Sequence, residues 1–421
     1  MNRRCFVIRS VSTVGLSFLV QQGLIADEPR RLQITGLTTE YRHNSHSDVL
    51  LSRMFLNDTL DGKGQLPSLH LASVFTDQVP ANDTSRAHAA KYGFKISSDV
   101  RDALTLGQGK LSVDGVMLVA EHGKYPQSDV GATIFPKRRL FEAVAAEFQA
   151  SGRSVPVFID KHLADNWTDA KWIYDTAREL KVPLMAGSSL PGTWRYPPHD
   201  VRRDAKLKQI VAFSYHTLDA YGFHGLEVIQ ALAERRAGGE TGVKQVRHLS
   251  GAAVWELVDR GPCDKALFEA AQRALVDKRW MKTKKSLRES VTEPSVIIID
   301  YEDGLQGFLF TLNGAVTEWT AAWSYADSSP VEAATFDTQE WRPFYHFWLQ
   351  LQGIERMMQT GRPSWPVERT LLTSGILHAA MSSAKHGNEV VVTPYMKIAY
   401  QSDWNWKQPP ERPRNRWLTD Q

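Results

Sequence analysis

The sequence predicts an α/β chain in two parts, a doubly wound parallel sheet followed by an α+β domain with a mainly antiparallel sheet. Three observations carry this. Short apolar runs alternate with helical periodicity from Arg31 to about residue 190, the signature of βαβ units. Three strand-like runs between Val296 and Tyr325 are separated by Asp303-Gly304 and Asn313-Gly314, both hairpin signals. The length of 421 residues suits two domains better than one.

In order, Leu32-Gln33-Ile34-Thr35-Gly36 reads as a short strand ending in glycine, and Asp48 to Phe55 as the helix after it. A loop with Gly62 and Gly64 leads to a second strand, Leu69 to Phe75, closed by Thr76-Asp77. A helix over Ser85–Tyr92 stops at Gly93. Then come strand Val113–Ala120, helix Arg138–Ser151, strand Val155–Ile159, helix Trp167–Leu180 and strand Pro183–Ala186. Right-handed crossovers make this half Rossmann-like. Pro191, Pro197 and Pro198 mark a boundary. Beyond it the pattern gives strands at Gln209–Tyr215 and Val243–Leu249, helices at Tyr221–Arg236 and within 254–280, the three strand-like runs, and helices near 339–360 and 367–386. The expected division is 30–190, 191–400 and an extended tail over 401–421.

Residues 1–26 read as an export address: Arg3 and Arg4 precede an uncharged apolar run from Val11 to Val20, with Ala26 before Asp27. The paired arginines resemble a twin-arginine signal, which places the protein in the periplasm or outside the cell. The run is too short for a stable membrane span. With 50 Lys+Arg against 47 Asp+Glu the precursor carries +3, and loss of three arginines with the signal leaves zero. That balance argues against phosphate-neutralising nucleic-acid binding. Of two cysteines only Cys263 remains, so no disulfide framework forms.

Ligands of doubly wound sheets sit beyond the carboxyl ends of the strands. The residues there are Gly36, Asp77, Glu121 with His122, Asp160-Lys161-His162, and Gly187-Ser188-Ser189. Asp77 suits a ribose hydroxyl, or equally an Asx turn or helix cap. Lys161 suits a substrate hydroxyl whose alkoxide a cation stabilises, or a plain ion pair. His224, opening a helix, suits proton transfer at neutral pH, or a core position. His43, His46 and Asp48 suggest either a metal pair joined by Glu121 and His122 or a solvated helix start, and no metal site is assigned. Trp365, Trp404 and Trp406 suit sugar stacking or packing.

Taken in order, these stretches resemble the glucose-fructose oxidoreductase and inositol dehydrogenase family, Gfo/Idh/MocA. The resemblance spans about residues 30–400. It is carried by Leu71–Asp77, Ala87–Gly93, Val113–Val119, Asp160-Lys161-His162-Leu163-Ala164 and Gly222-Phe223-His224-Gly225-Leu226-Glu227. It implies an NAD- or NADP-dependent oxidoreductase of a sugar or polyol, with Gly36, Asp77, Glu121 and His122 on the cofactor, Lys161 orienting the substrate and His224 moving its proton. The sequence departs from the pattern at the first glycine turn, at His162 where the family has proline, and at Ala220 where it has an acid. Two alternatives stand beside this reading: a non-redox lyase or hydrolase using His43, His46, Glu121 or His122 with a metal, and a binding protein without catalysis. An open face of the second sheet is expected to serve a homo-oligomer.

Overall fold

The computed structural model describes residues 30–277, 285–327 and 329–411. The export signal expected over residues 1–26 lies outside them. Strands β1 (Leu32–Thr38), β2 (Leu69–Thr76), β3 (Lys95–Ile96), β4 (Gly115–Val119), β5 (Val157–Asp160) and β6 (Leu184–Gly187) form one sheet in the order β3-β2-β1-β4-β5-β6. Every neighbouring pair is parallel. The order reverses between β1 and β4, and the crevice beyond their carboxyl ends is where this topology receives ligands. β4 is buried along its whole length because helices cover both faces of the sheet. Helices Val100–Thr105, Lys137–Ser151 and Trp167–Glu179 pack one face through Leu104, Phe141, Val144 and Ile173. The other face is closed from far along the chain: Phe347, Trp348, Leu351 and Ile354 of helix Tyr345–Thr360 pack with Ile34, Leu71, Met117, Phe158 and Met185.

Two details correct the sequence reading of β1. Gly36 does not end the strand, which runs on to Thr38 with Gly36 paired between Val74 and Met117. A Cβ there would stand 2.6 Å from Leu51 Cδ1, so the glycine serves close packing of helix His46–Leu51 on the strand. The short β3 and the helix Val100–Thr105 carry too few periodic residues to show in the sequence.

The second sheet holds β7 (Trp194–Tyr196), β8 (Leu207–Ser214), β9 (Val243–Ser250), β10 (Ser295–Tyr301), β11 (Gln306–Thr311), β12 (Trp319–Tyr325), β13 (Glu332–Asp337) and β14 (Val391–Val392). Their order is β14-β9-β10-β11-β8-β12-β13-β7, antiparallel except for β11 beside β8. Asp303-Gly304 makes the expected hairpin between β10 and β11. Asn313-Gly314 does not: β8 lies between β11 and β12 and pairs with both, so the turn carries the chain over a central strand. β8 is apolar on both faces and belongs at the sheet centre, which displaces the local hairpin preference.

The expected open sheet face is largely covered, with Arg247 of β9 still exposed. Helices Phe223–Ala233 and Val367–Lys385 cover one side, and Val254, Leu257, Leu267, Phe268 and Leu275 of helices Ala252–Arg260 and Lys265–Asp277 cover Val211, Phe213, Phe308 and Phe310 on the other. The unbroken apolar run Phe308-Leu309-Phe310 reflects cover on both faces. Cys263 is buried in the second of these layers, and burial pushes its thiol up to about 12. Residues 401–411 have no regular structure but are tied down, with Trp406 Nε1 donating to the Thr193 carbonyl at 2.8 Å. Among the described residues no helix is long and apolar enough to cross a membrane.

Candidate active site

The turns after β4, β5 and β6 converge with the start of helix Phe223–Ala233. Lys161, one residue past β5, is buried, and its Nζ donates to Glu121 Oε2 at 2.8 Å and to the Ala220 carbonyl at 3.3 Å. Beneath it lies a second buried lysine that the sequence reading passed over. Lys137 Nζ donates to the carbonyls of Asp160 and His162, at 3.1 and 2.9 Å, bracketing the Lys161 turn. The Lys161–His162 peptide is cis. Burial lowers Lys137 to about 8, with Glu121 and Asp160 opposing the shift. Glu121 Oε1 is buried without a hydrogen bond, 3.7 Å from the Lys137 ammonium. Its carboxylate therefore serves two lysines.

A ring of histidines surrounds this charge cluster. His46 Nδ1 meets Asp160 Oδ2 at 2.6 Å. Burial pushes the Asp160 carboxyl up, but His46, Lys161 and Lys137 outweigh it and hold the group below its ordinary value. The His122 ring lies 5.4 Å from that of His46, and burial, then His46, Arg42 and Lys161, lower it to about 3. His162 Nε2 lies 2.9 Å from the Asp219 carbonyl oxygen, which fixes that nitrogen as the donor, and its ring packs edge-on against Phe223.

His224 is buried, and burial, followed by the charges of Lys161, His46, His346 and His162, holds it well below its ordinary value. It is neutral at pH 7 and free to accept a proton. Its Nδ1 lies 2.6 Å from Ser188 Oγ, and that oxygen also accepts from the Leu190 amide at 3.1 Å. Three residues on along the same helix, Glu227 accepts from the Ser188 amide at 3.3 Å and from Thr373 Oγ1 at 2.7 Å, so one helix face fixes the strand end that holds His224. A single π-helical turn, Leu218–Gly222, leads into this helix and presents the Ala220 carbonyl to Lys161. Tyr221 stacks on Trp319 at 5.6 Å and 11°, with Tyr215 4.7 Å from the same indole. This aromatic wall stands 5.5 Å from the His224 ring. Glu318 and Glu340 lie near the wall, and burial raises both carboxyls.

The structure therefore brings together Lys161, His224, Glu121 and His122. Gly36 and Asp77 are not part of this cluster. His43 points to solvent, 3.8 Å from Asp48, while His46 turns inward, so the two do not share a ligand position. Among the described residues no group of three His, Cys, Asp or Glu side chains has a metal-binding placement. Ser188 and Glu227 stand in the strand-end and helix-start stretches singled out from the sequence, but no role is assigned to either there. Lys137, Tyr215 and Trp319 left no local signal, since nothing in a periodic pattern separates them from ordinary surface or core positions.

Asp77 lies on the dinucleotide side of the crevice and is already engaged. Its Oδ1 accepts from Arg139 at 2.6 Å and its Oδ2 from the Tyr125 hydroxyl at 2.7 Å. Gln78 ties the same loop to Lys124 through two 3.0 Å hydrogen bonds. Thr76 Oγ1, at the end of β2, is buried without a partner. Each Asp77 oxygen keeps a further lone pair, so a ribose hydroxyl would meet it in competition with Arg139 and Tyr125. Tyr125 stands half-buried on the segment after β4 and Arg139 is exposed in the first turn of helix Lys137–Ser151, and each such bond is worth about 0.5–1.5 kcal/mol.

The class of fold is settled by this topology, a dinucleotide-type α/β domain joined to an α+β domain. It is the fold of the inositol dehydrogenases and related NAD-binding oxidoreductases. The apo scyllo-inositol dehydrogenase of Lactobacillus casei aligns over 86% of this chain and 98% of its own, at TM-score 0.53 and 11% identity. GenD2 of gentamicin A biosynthesis, solved in complex with NAD, aligns over 86% and 97%, at 0.53 and 13%. An Agrobacterium radiobacter oxidoreductase in complex with NAD+, L-tartaric acid and magnesium aligns over 87% and 99%, at 0.52 and 14%. No family model matches the chain, and no curated protein does. The likeness is one of structure.

Proposed function

We propose that the protein is an exported oxidoreductase that acts on a hydroxyl of a sugar or polyol with NAD or NADP. The observation that carries this is the meeting of a charged, buried Lys161 with a neutral, buried His224 at the mouth of a dinucleotide-type crevice. Support comes from the NAD-bound proteins of like fold. Asp77 and the turn 38–45 would hold the dinucleotide, with His122 and Glu121 on its reactive side. NAD(P), when bound, supplies the hydride acceptor.

The chain's own residues do the rest. Lys161 has one N–H beyond those given to Glu121 and Ala220, and it donates to the substrate oxygen, favouring the alkoxide. Nδ1 of His224 is held by Ser188, which leaves Nε2 to take the hydroxyl proton. With Nδ1–H given to Ser188, the neutral imidazole carries its lone pair on Nε2 for that proton. The aromatic wall of Tyr215, Tyr221 and Trp319 excludes water on the second-domain side.

Lys161→Met and His224→Ala should each lower turnover by about 10²–10⁴-fold while nucleotide binding persists. Full activity in both variants would remove these residues from the mechanism. A cofactor-free binding protein is the second reading, favoured by the engagement of both Asp77 oxygens. Denaturing the purified protein and assaying the released small molecules separates the two. Bound nucleotide, or a thermal shift on adding NAD(H) or NADP(H), supports the oxidoreductase, and the lack of both supports the second reading.

A further inference from the structure

Beside Ser188 a groove of about 1050 Å3 runs between helix Tyr345–Thr360 and the segment 403–410. Its charge is one-sided. Arg356, Arg362 and Lys407 line it, are exposed, and make no side-chain hydrogen bond or ion pair among the described residues. Asp403 is the one acid on its wall, and the remaining cation, Arg369, is already matched by Glu234 at 3.0 Å. Three indoles also line the groove. Trp365 is buried and fixed by donation from Nε1 to the Ala186 carbonyl at 2.8 Å, so the accessible indole surface is that of Trp404 and Trp406. Trp404 and Trp406 are half-buried and each is backed by a buried guanidinium, of Arg369 at 4.7 Å and of Arg195 at 4.3 Å.

Two buried polar atoms on this wall have no partner. Gln350 is 3% exposed, and its Nε2 donates to the Gly187 carbonyl at 2.8 Å, which leaves Oε1 as an unmatched acceptor. The Ser189 hydroxyl, also 3% exposed, is an unmatched donor and acceptor. An orphaned buried polar group costs about 1–3 kcal/mol, so a donor and an acceptor without partners on one wall suit a ligand that carries hydroxyls. Flat indole surface suits the C–H face of a sugar ring, and free guanidinium forks suit carboxylate or sulfate.

We propose that this groove binds an anionic saccharide, with sugar rings against the indoles, acid groups on Arg356 and Arg362, and a hydroxyl reaching Ser189 and Gln350. The inference takes its carbohydrate class from the function proposed above, but its binding requires neither nucleotide nor turnover. Ser188 borders the groove and also bonds His224.

The test is calorimetric titration of the purified protein, without nucleotide, with trigalacturonate, a sulfated carrageenan oligosaccharide and neutral maltotriose. Either anionic probe should bind at least about ten-fold more tightly than maltotriose, with the difference shrinking as salt rises. The double variant Arg356→Gln/Arg362→Gln, at exposed positions that leave the core intact, should lose about ten-fold or more of that affinity. Equal affinity for all three saccharides, no binding of either anion, or an unchanged double variant would overturn the proposal. Failure of nucleotide to bind, with the anion still bound, would sink the oxidoreductase reading and leave this one standing.

Discussion

Burial of the histidine ring makes a quantitative claim about acid stability. His122 is lowered to about 3 by burial and by the positive charges of His46, Arg42 and Lys161, against an unfolded value near 6.5. Its neutral form is favoured in the folded state, so its contribution is fully present above pH 6.5 and is lost as pH falls from there towards 3. Worked through the linkage relation, the unfolded state gains about 2 kcal/mol over the folded one between pH 7 and pH 5 from this residue alone. His162 and His224 are lowered for the same leading cause and add in the same direction. The perturbation is His122→Asn, which removes the titration and keeps a polar side chain of similar reach. Urea unfolding at pH 7 and pH 5 should show the wild type losing about 2 kcal/mol more than the variant over that interval. An NMR titration of the His122 ring provides the direct check, with no protonation above about pH 4. If the ring titrates near 6.5, or the two proteins lose stability in parallel within about 0.5 kcal/mol, the burial argument is refuted.

Two further outcomes follow from the same geometry. Replacing Tyr125 by Phe together with Arg139 by Ala frees both oxygens of Asp77 and should tighten NAD or NADP binding by about 5–30-fold in calorimetry, since two partly exposed hydrogen bonds no longer compete. Unchanged or weaker binding would mean that Asp77 does not meet the ribose. Gly187 sits at φ +119°, and a Cβ there would stand 2.5 Å from Glu227 Oε2 and 2.6 Å from Thr370 Oγ1. Gly187→Ala should therefore cost about 2–4 kcal/mol and lower turnover as well, because Glu227 and Ser188 hold His224 in place. A variant of normal stability and activity would show that this strand end is not under constraint.

The sequence makes the alternation of strands and helices legible because most elements of the first half, β3 and helix Val100–Thr105 excepted, are long enough or sharply enough ended to show. Helix Ser85–Tyr92 and its glycine stop, and helix Lys137–Ser151, are found where the pattern puts them. The connections across space are hidden. Nothing in Tyr345–Thr360 distinguishes an amphipathic helix that covers the second sheet from one that returns to cover the first. Lys161 and His224 are visible because they stand at a strand end and a helix start, positions with local signatures. Lys137, Ser188 and the Asp77–Arg139 pair act through partners 23 to 62 residues away, and a one-dimensional pattern carries no record of such distances.

The return of helix Tyr345–Thr360 to the first sheet also sets the order of events during synthesis. All six strands of that sheet have been made once Gly187 leaves the ribosome, yet the helix that covers Ile34, Leu71 and Met117 is encoded roughly 160 residues later. Helix His46–Leu51 covers part of that face from the start, and at about 5–20 residues per second the rest stays open for on the order of 10–30 s. The N-terminal half therefore cannot finish folding as the chain emerges. A fragment ending near residue 190 would leave the part of the face that Phe347, Trp348, Leu351 and Ile354 cover open to water.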